Sequence, residues 1–116
     1  MKQKDLLIIE DENNIAIILR IQFEIAGLSV DVCGDGKEAL IMLESTEYKV
    51  ISLDMGLPIM DGLEFLHNIP LEMHPKVVVF SSLEYPMLET YDLKMVWDKP
   101  RDSLQYQKTI IEMGKA

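Results

Sequence analysis

The chain has a single cysteine, Cys33, among 116 residues, so it forms no internal disulfide, and a reducing, cytoplasmic setting is expected. It is also short of positive charge: 11 Lys and Arg stand against 20 Asp and Glu, a net charge of -9. Such a surface repels the phosphate backbone that nucleic-acid-binding proteins must neutralise, so DNA and RNA are not expected partners. Long apolar runs are missing as well. The N-terminal "MKQKDLLIIEDEN" is too short in apolar residues for a signal peptide or a membrane span. The two histidines, His67 and His74, lack metal-ligand spacing and are read as surface residues. A phosphate-binding glycine loop is absent too, because "GDGKEAL" does not follow G-x-x-x-x-G-K-[ST] and reads as a turn into a helix.

What the chain does have is apolar material, 48% of its residues, at a length that suits one domain over residues 1–116. The eight methionines are scattered, which fits gap-filling in a core better than a binding groove. Five short aliphatic runs stand out at residues 6–9, 28–32, 49–53, 76–80 and 93–97. Four are nearly continuous rather than alternating, as in parallel strands buried on both faces. Helical stretches lie between them. Residues 13–26 carry Ile15, Ile18, Leu19, Phe23 and Ala26 at helical spacing, with Asn13 or Asn14 as cap and Gly27 as stop. Residues 37–45 follow an Asp35 cap, and residues 61–69 run into Pro70. Residues 82–92 allow only a short or distorted helix around Pro86, and a last helix over 102–113 is expected to turn Leu104, Ile110, Ile111 and Met113 inward.

Strands alternating with helices indicate an α/β, doubly wound parallel sheet, and the common five-stranded order is 2-1-3-4-5. In that order strands one and three are neighbours, and ligands bind beyond the carboxyl ends of the strands. The residues following the runs are Glu10 and Asp11, then Asp54, Ser81 and Lys99. Three carboxylates brought together repel one another, so the site calls for a cation or for protons. An oxygen-only donor set favours a hard ion, and Mg²⁺ suits a few carboxylates plus a phosphate. A carboxylate is also a nucleophile toward phosphorus, and Asp54 stands alone at the end of the central strand. Lys99 would add positive charge and the Ser81 hydroxyl a hydrogen bond to a phosphoryl oxygen.

These residues resemble the receiver domain of two-component response regulators, a flavodoxin-like, three-layer fold. The motifs are "LLIIEDEN", "DGKEAL", "LDMGLPIMDGLEFL", "VVFSS" and "DKP", in order along nearly the whole chain. The resemblance implies that Asp54 accepts a phosphoryl group from a histidine kinase or phosphotransfer protein. It further implies that Asp11, Asp54 and the Gly56 carbonyl coordinate Mg²⁺, with Glu10 acting through a metal-bound water. Ser81 and Lys99 would bind the phosphoryl oxygens, and Asp61 and Gly62 would start the next helix in a structural role.

The sequence also departs from the family pattern. Glu10 replaces an aspartate, the stretch from Ser81 to Lys99 is short, and Arg101 replaces an apolar residue. Val96 occupies the place of the aromatic residue that follows the hydroxyl in the family's switch, leaving Trp97 or Tyr91 to serve. Ser82 is a second hydroxyl beside Ser81, and Leu83 offers no polar group to steer an attacking water, so self-dephosphorylation is expected to be slow. No residues remain for an effector domain, so the expected output is binding of a downstream protein. The chain would be a stand-alone regulator or the N-terminal part of a longer one. The alternative is a receiver-like scaffold that binds partners without phosphorylation. An enzyme is not expected: the D-x-D-x-[TV] phosphatase motif is absent, and the acidic "EDEN" is unsuited to a flavin phosphate.

Overall fold

The computed structural model describes residues 1–81, 95–98 and 102–116, with 95–98 described by backbone alone. Among these residues the elements run β1 (Lys2–Ile9), α1 (Asn13–Ile25), β2 (Val30–Cys33), α2 (Gly36–Leu43), β3 (Thr46–Leu53), α3 (Gly62–His67), a 3₁₀ turn (Leu71–Lys76), β4 (Val77–Ser81), β5 (Met95–Asp98) and α4 (Ser103–Lys115). The sheet is parallel throughout, and its strands lie in the order β2-β1-β3-β4-β5. The α/β class and the parallel sheet agree with the sequence reading. The helix expected over 82–92 lies outside the described residues.

The continuous aliphatic runs are buried because helices cover both faces of the sheet. Alternation along β1 and β3 sends Leu7, Ile9, Ile51 and Leu53 toward α2 and α3, whose Ala39, Phe65 and Leu66 join the same cluster. Leu6, Ile8 and Val50 point the other way, against Leu19 and Phe23 of α1 and Tyr106 and Ile110 of α4. Each fully buried side chain of this size contributes about 1.5–3 kcal/mol relative to exposure, before chain entropy is opposed. The methionines behave as gap-fillers: Met55 is fully buried, and Met42, Met60, Met73 and Met113 pack against the two clusters.

Helix ends follow local chemistry. Gly27 at φ 97° ends α1, with its amide donating to Glu24 O and that of Leu28 to Phe23 O. The Asp35 carboxylate accepts from Glu38 N at 2.8 Å and starts α2, and Asp61 does the same for α3 by accepting from Glu64 N at 2.9 Å.

Four expectations need correction. The N-cap of α1 is Glu12, without a side-chain cap bond, rather than Asn13 or Asn14. Ile18 is exposed, because α1 carries isoleucines outside its buried face and the sheet takes the Ala16, Leu19 and Phe23 side. Leu104 is likewise exposed, while Tyr106, one turn before Ile110, takes the inward place. His74 is buried rather than on the surface, in the 3₁₀ turn after α3, with Nε2 3.0 Å from Leu66 O. His67 is exposed, as expected.

Candidate functional site

The register Ile9↔Leu53 brings the ends of β1 and β3 together, and Asp54 N donates to Ile9 O at 3.1 Å while Glu10 N donates to Cys33 O at 3.0 Å. Glu10 and Asp54 therefore leave adjacent strands side by side, and Asp11 follows in the turn into α1. Carboxylate oxygens of Glu10, Asp11 and Asp54 all lie within 4.8 Å of one another. Glu10 is only 4% exposed, Asp54 is half-buried and Asp11 is exposed. A cluster of like charges with one buried member is unfavourable without a compensating cation or proton. Its donors are all carboxylate oxygens, which fits a small hard ion such as Mg²⁺.

On the other side of Asp54, Ser81 closes β4. Its hydroxyl donates to Asp54 Oδ1 at 2.9 Å and accepts from Met55 N at 3.4 Å. Gly56 N reaches the same Oδ1 at 3.4 Å. Glu10 is oriented by Glu12 N, which donates to its Oε2 at 3.3 Å. The sequence-predicted Glu10, Asp11, Asp54, Gly56 and Ser81 are thus brought together, while Lys99 lies outside the described residues, as do Ser82, Leu83, Tyr91 and Arg101. The side chains of Val96 and Trp97 lie outside the description too.

The break after Asp54 is held from both ends. Gly62 N donates to Met55 O at 3.1 Å, and a Cβ on Gly62 would stand 2.8 Å from Met55 Cα and 3.0 Å from Asp54 O. Only glycine allows α3 to begin this close to the strand end. Gly36 N similarly donates to Met60 O at 3.1 Å, so α2 braces the loop. Between them Met60 N reaches Pro58 O at 2.6 Å around Ile59, whose φ of 65° is uncommon for a β-branched residue.

Two buried groups near the site escaped the sequence reading. Ser52, two residues before Asp54, and Tyr106 of α4 have their hydroxyl oxygens 2.6 Å apart. Burial pushes the Tyr106 hydroxyl well above the usual tyrosine range, the Ser52 hydrogen bond opposes this, and the charge of Glu10 adds to the rise. The available signal was the Tyr106/Ile110 spacing, which competes with an equally apolar Leu104. Cys33, at the end of β2, is buried and its thiol is pushed up to about 12 by that burial, which leaves it unreactive.

A family model described as the response regulator receiver domain matches residues 6–94. The chain belongs to this family. Among curated relatives, the "Probable transcriptional regulator ycf27" of Cyanidium caldarium is 34% identical over 83 residues, 72% of this chain and 33% of the relative. Response regulator ArlR of Staphylococcus saprophyticus is 32% identical over 87 residues, covering 75% and 38%. The receiver chain thus spans about a third of the length of the curated relatives it matches. Among solved structures, the Francisella response regulator 1452 receiver domain superposes with a TM-score of 0.75 at 26% identity, covering 97% of each chain. Chemotaxis response regulator CheY4 of Vibrio cholerae, at 21% identity and a TM-score of 0.75 over 95% of this chain and 98% of its own, shows the same flavodoxin-like, CheY-type fold.

Proposed function

We propose that this receiver domain takes a phosphoryl group on Asp54 from a histidine kinase or phosphotransfer protein and signals by binding a downstream protein. The observation that carries the reading is the double engagement of Asp54: it shares an acidic cluster with Glu10 and Asp11 while Ser81 donates to its Oδ1 at 2.9 Å. A scaffold that never takes phosphate gives no reason to gather three carboxylates and aim a hydroxyl at one of them.

In the transfer, an Asp54 oxygen forms a bond to phosphorus as the P–N bond of a phosphohistidine breaks, the electron pair staying on the imidazole nitrogen. Ser81 Oγ then donates to a phosphoryl oxygen, and Lys99 supplies positive charge there. Asp11, Asp54 and the Gly56 carbonyl would hold Mg²⁺, with Glu10 acting through a bound water. The ion would neutralise charge on the transferring oxygens. The chain assists its own phosphorylation and loses phosphate slowly, but is not an enzyme acting on other molecules. The complete five-stranded, three-layer receiver with a short helix over 82–92, occupying residues 1–116, is part of this reading. So is a cytoplasmic location, in keeping with the absence of any helix among the described residues long and apolar enough to cross a membrane. The name of the ycf27 relative speaks of transcription; for this stretch, with its net charge of -9, protein binding is the proposed output.

Acetyl phosphate with Mg²⁺, followed by intact mass, tests the reading. Wild type is expected to gain one phosphoryl group, and Asp54→Asn or chelation of the metal is expected to abolish the gain. A wild-type chain that stays unmodified under saturating conditions would contradict it.

A further inference from the structure

Ser52 and Tyr106 form a polar pair in an otherwise apolar region. Their hydroxyl oxygens are 2.6 Å apart, Ser52 is 3% exposed and Tyr106 is 0% exposed. Leu6, Ile8, Val50, Val78, Phe80 and Ile110 make up the same side of the core. A satisfied buried hydroxyl pair is about as stable as the apolar pair that would replace it, so folding alone does not require it. Its position is informative. Ser52 points to the same face of β3 as Asp54, and Ile8, its partner in register, likewise shares a face with Glu10.

Tyr106 also lies flat against Phe80, with ring centroids 3.8 Å apart and planes 8° from parallel, and it meets Phe23 edge-on at 5.8 Å. Phe80 is the residue before Ser81, whose hydroxyl donates to Asp54. One side chain of α4 therefore holds both strands that end in the site, β3 by a hydrogen bond and β4 by a stacked ring.

We propose that Tyr106 is a positioning residue that couples the state of Asp54 to helix α4, so that phosphorylation is read on that helix. The proposal rests on the phosphoacceptor reading of Asp54. Phosphorylation removes the negative charge from the carboxylate group that Ser81 now contacts and places charged oxygens farther from the strand end. The Ser81 hydroxyl re-aims toward them and carries the end of β4 with it. Phe80 is stacked on Tyr106, so its displacement presses on that ring, and Tyr106 follows only by giving up or re-forming its bond to Ser52. A packed ring with a single hydrogen-bonded seat has discrete arrangements rather than a continuum, which is what a switch needs. The sequence leaves a place for such a device, because Val96 stands where the family carries its switch aromatic.

Hydrogen exchange over residues 103–115, with and without acetyl phosphate and Mg²⁺, tests the coupling, and intact mass on the same samples reports phosphate. In wild type, exchange in this helix is expected to change severalfold on phosphorylation. The double variant Ser52→Ala/Tyr106→Phe removes both hydroxyls and leaves neither orphaned. It should keep wild-type thermal stability and phosphate uptake while its α4 response falls to the level of error. Tyr106→Phe alone, which keeps the ring stack, should show the same loss, and it carries the test if the double variant does not fold. A variant that responds like wild type overturns the proposal, as does a phosphorylated wild type whose α4 does not respond. Absence of phosphate on wild type overturns the phosphoacceptor reading and the coupling with it.

Discussion

Gly62 shows how closely the local chemistry of this site is tied to single side chains. A methyl group there would overlap Met55 Cα and Sδ and crowd Asp54 O, in a loop already fixed by Gly62 N on Met55 O. Gly62→Ala is expected to cost about 1–3 kcal/mol by overpacking, measured by urea denaturation, and to slow phosphate uptake because the strain falls on the backbone of Asp54. Loss of stability without any change in the rate of uptake would mean that the loop relaxes away from the site. Glu10, Asp11, Asp54 and Ser81 could be picked out in the sequence because each stands at the end of an apolar run, and the fold brings these four together. Ser52 and Tyr106 could not, because a serine within a strand and a tyrosine on a helix acquire meaning only from each other.

Strands were legible where burial on both faces makes them continuously apolar. β1 and β3 also extend four and three residues earlier than their aliphatic runs, through polar positions such as Lys2, Lys4, Thr46 and Tyr48. Those extensions are held by cross-strand pairing and by Lys4 on Asp31 at 2.7 Å and Lys49 on Asp5 at 3.4 Å, which hydrophobic patterning does not register. The phase of α1 was illegible for a different reason. Its inward Ala16, Leu19 and Phe23 are opposed by Ile17, Ile18, Ile21 and Ile25, all at least 50% exposed, so two apolar faces compete in the sequence. The structure assigns very different weights to them. Phe23→Ala is expected to cost about 3–5 kcal/mol, whereas Ile21→Gln should stay within about 0.5 kcal/mol. Thermal or chemical denaturation of the two variants checks the contrast, and equal losses would contradict the orientation of the helix.

Charged side chains are arranged differently at the two ends of the sheet. Glu10, Asp11 and Asp54 gather at the carboxyl ends of the strands, while Lys4, Lys49 and Lys76 line a cavity of about 530 Å³ at the opposite edge of the sheet. There the lysines are tied to Asp31, Asp5 and Glu47. Burial acts to raise the Asp31 carboxyl, but hydrogen bonds from Lys4 and Tyr48 outweigh it, so its affinity for protons is lower than usual. A depressed carboxyl contributes stability above its unfolded pKa of about 3.9, and that contribution is lost as the pH falls through the lower folded value. Asp31→Asn should therefore lower the melting temperature near neutral pH, and its gap from wild type should close in acid below that range. A gap that is independent of pH would show that charge is not what Asp31 contributes.

The central claim is that Asp54 itself receives the phosphoryl group. Borohydride reduction of the phosphorylated chain, followed by peptide mass mapping, locates the acyl phosphate directly, because the modified aspartate is converted to homoserine. Homoserine at position 54, and at no other acidic residue, is the result expected here. Conversion at Glu10, Asp11 or elsewhere with Asp54 intact would contradict the account.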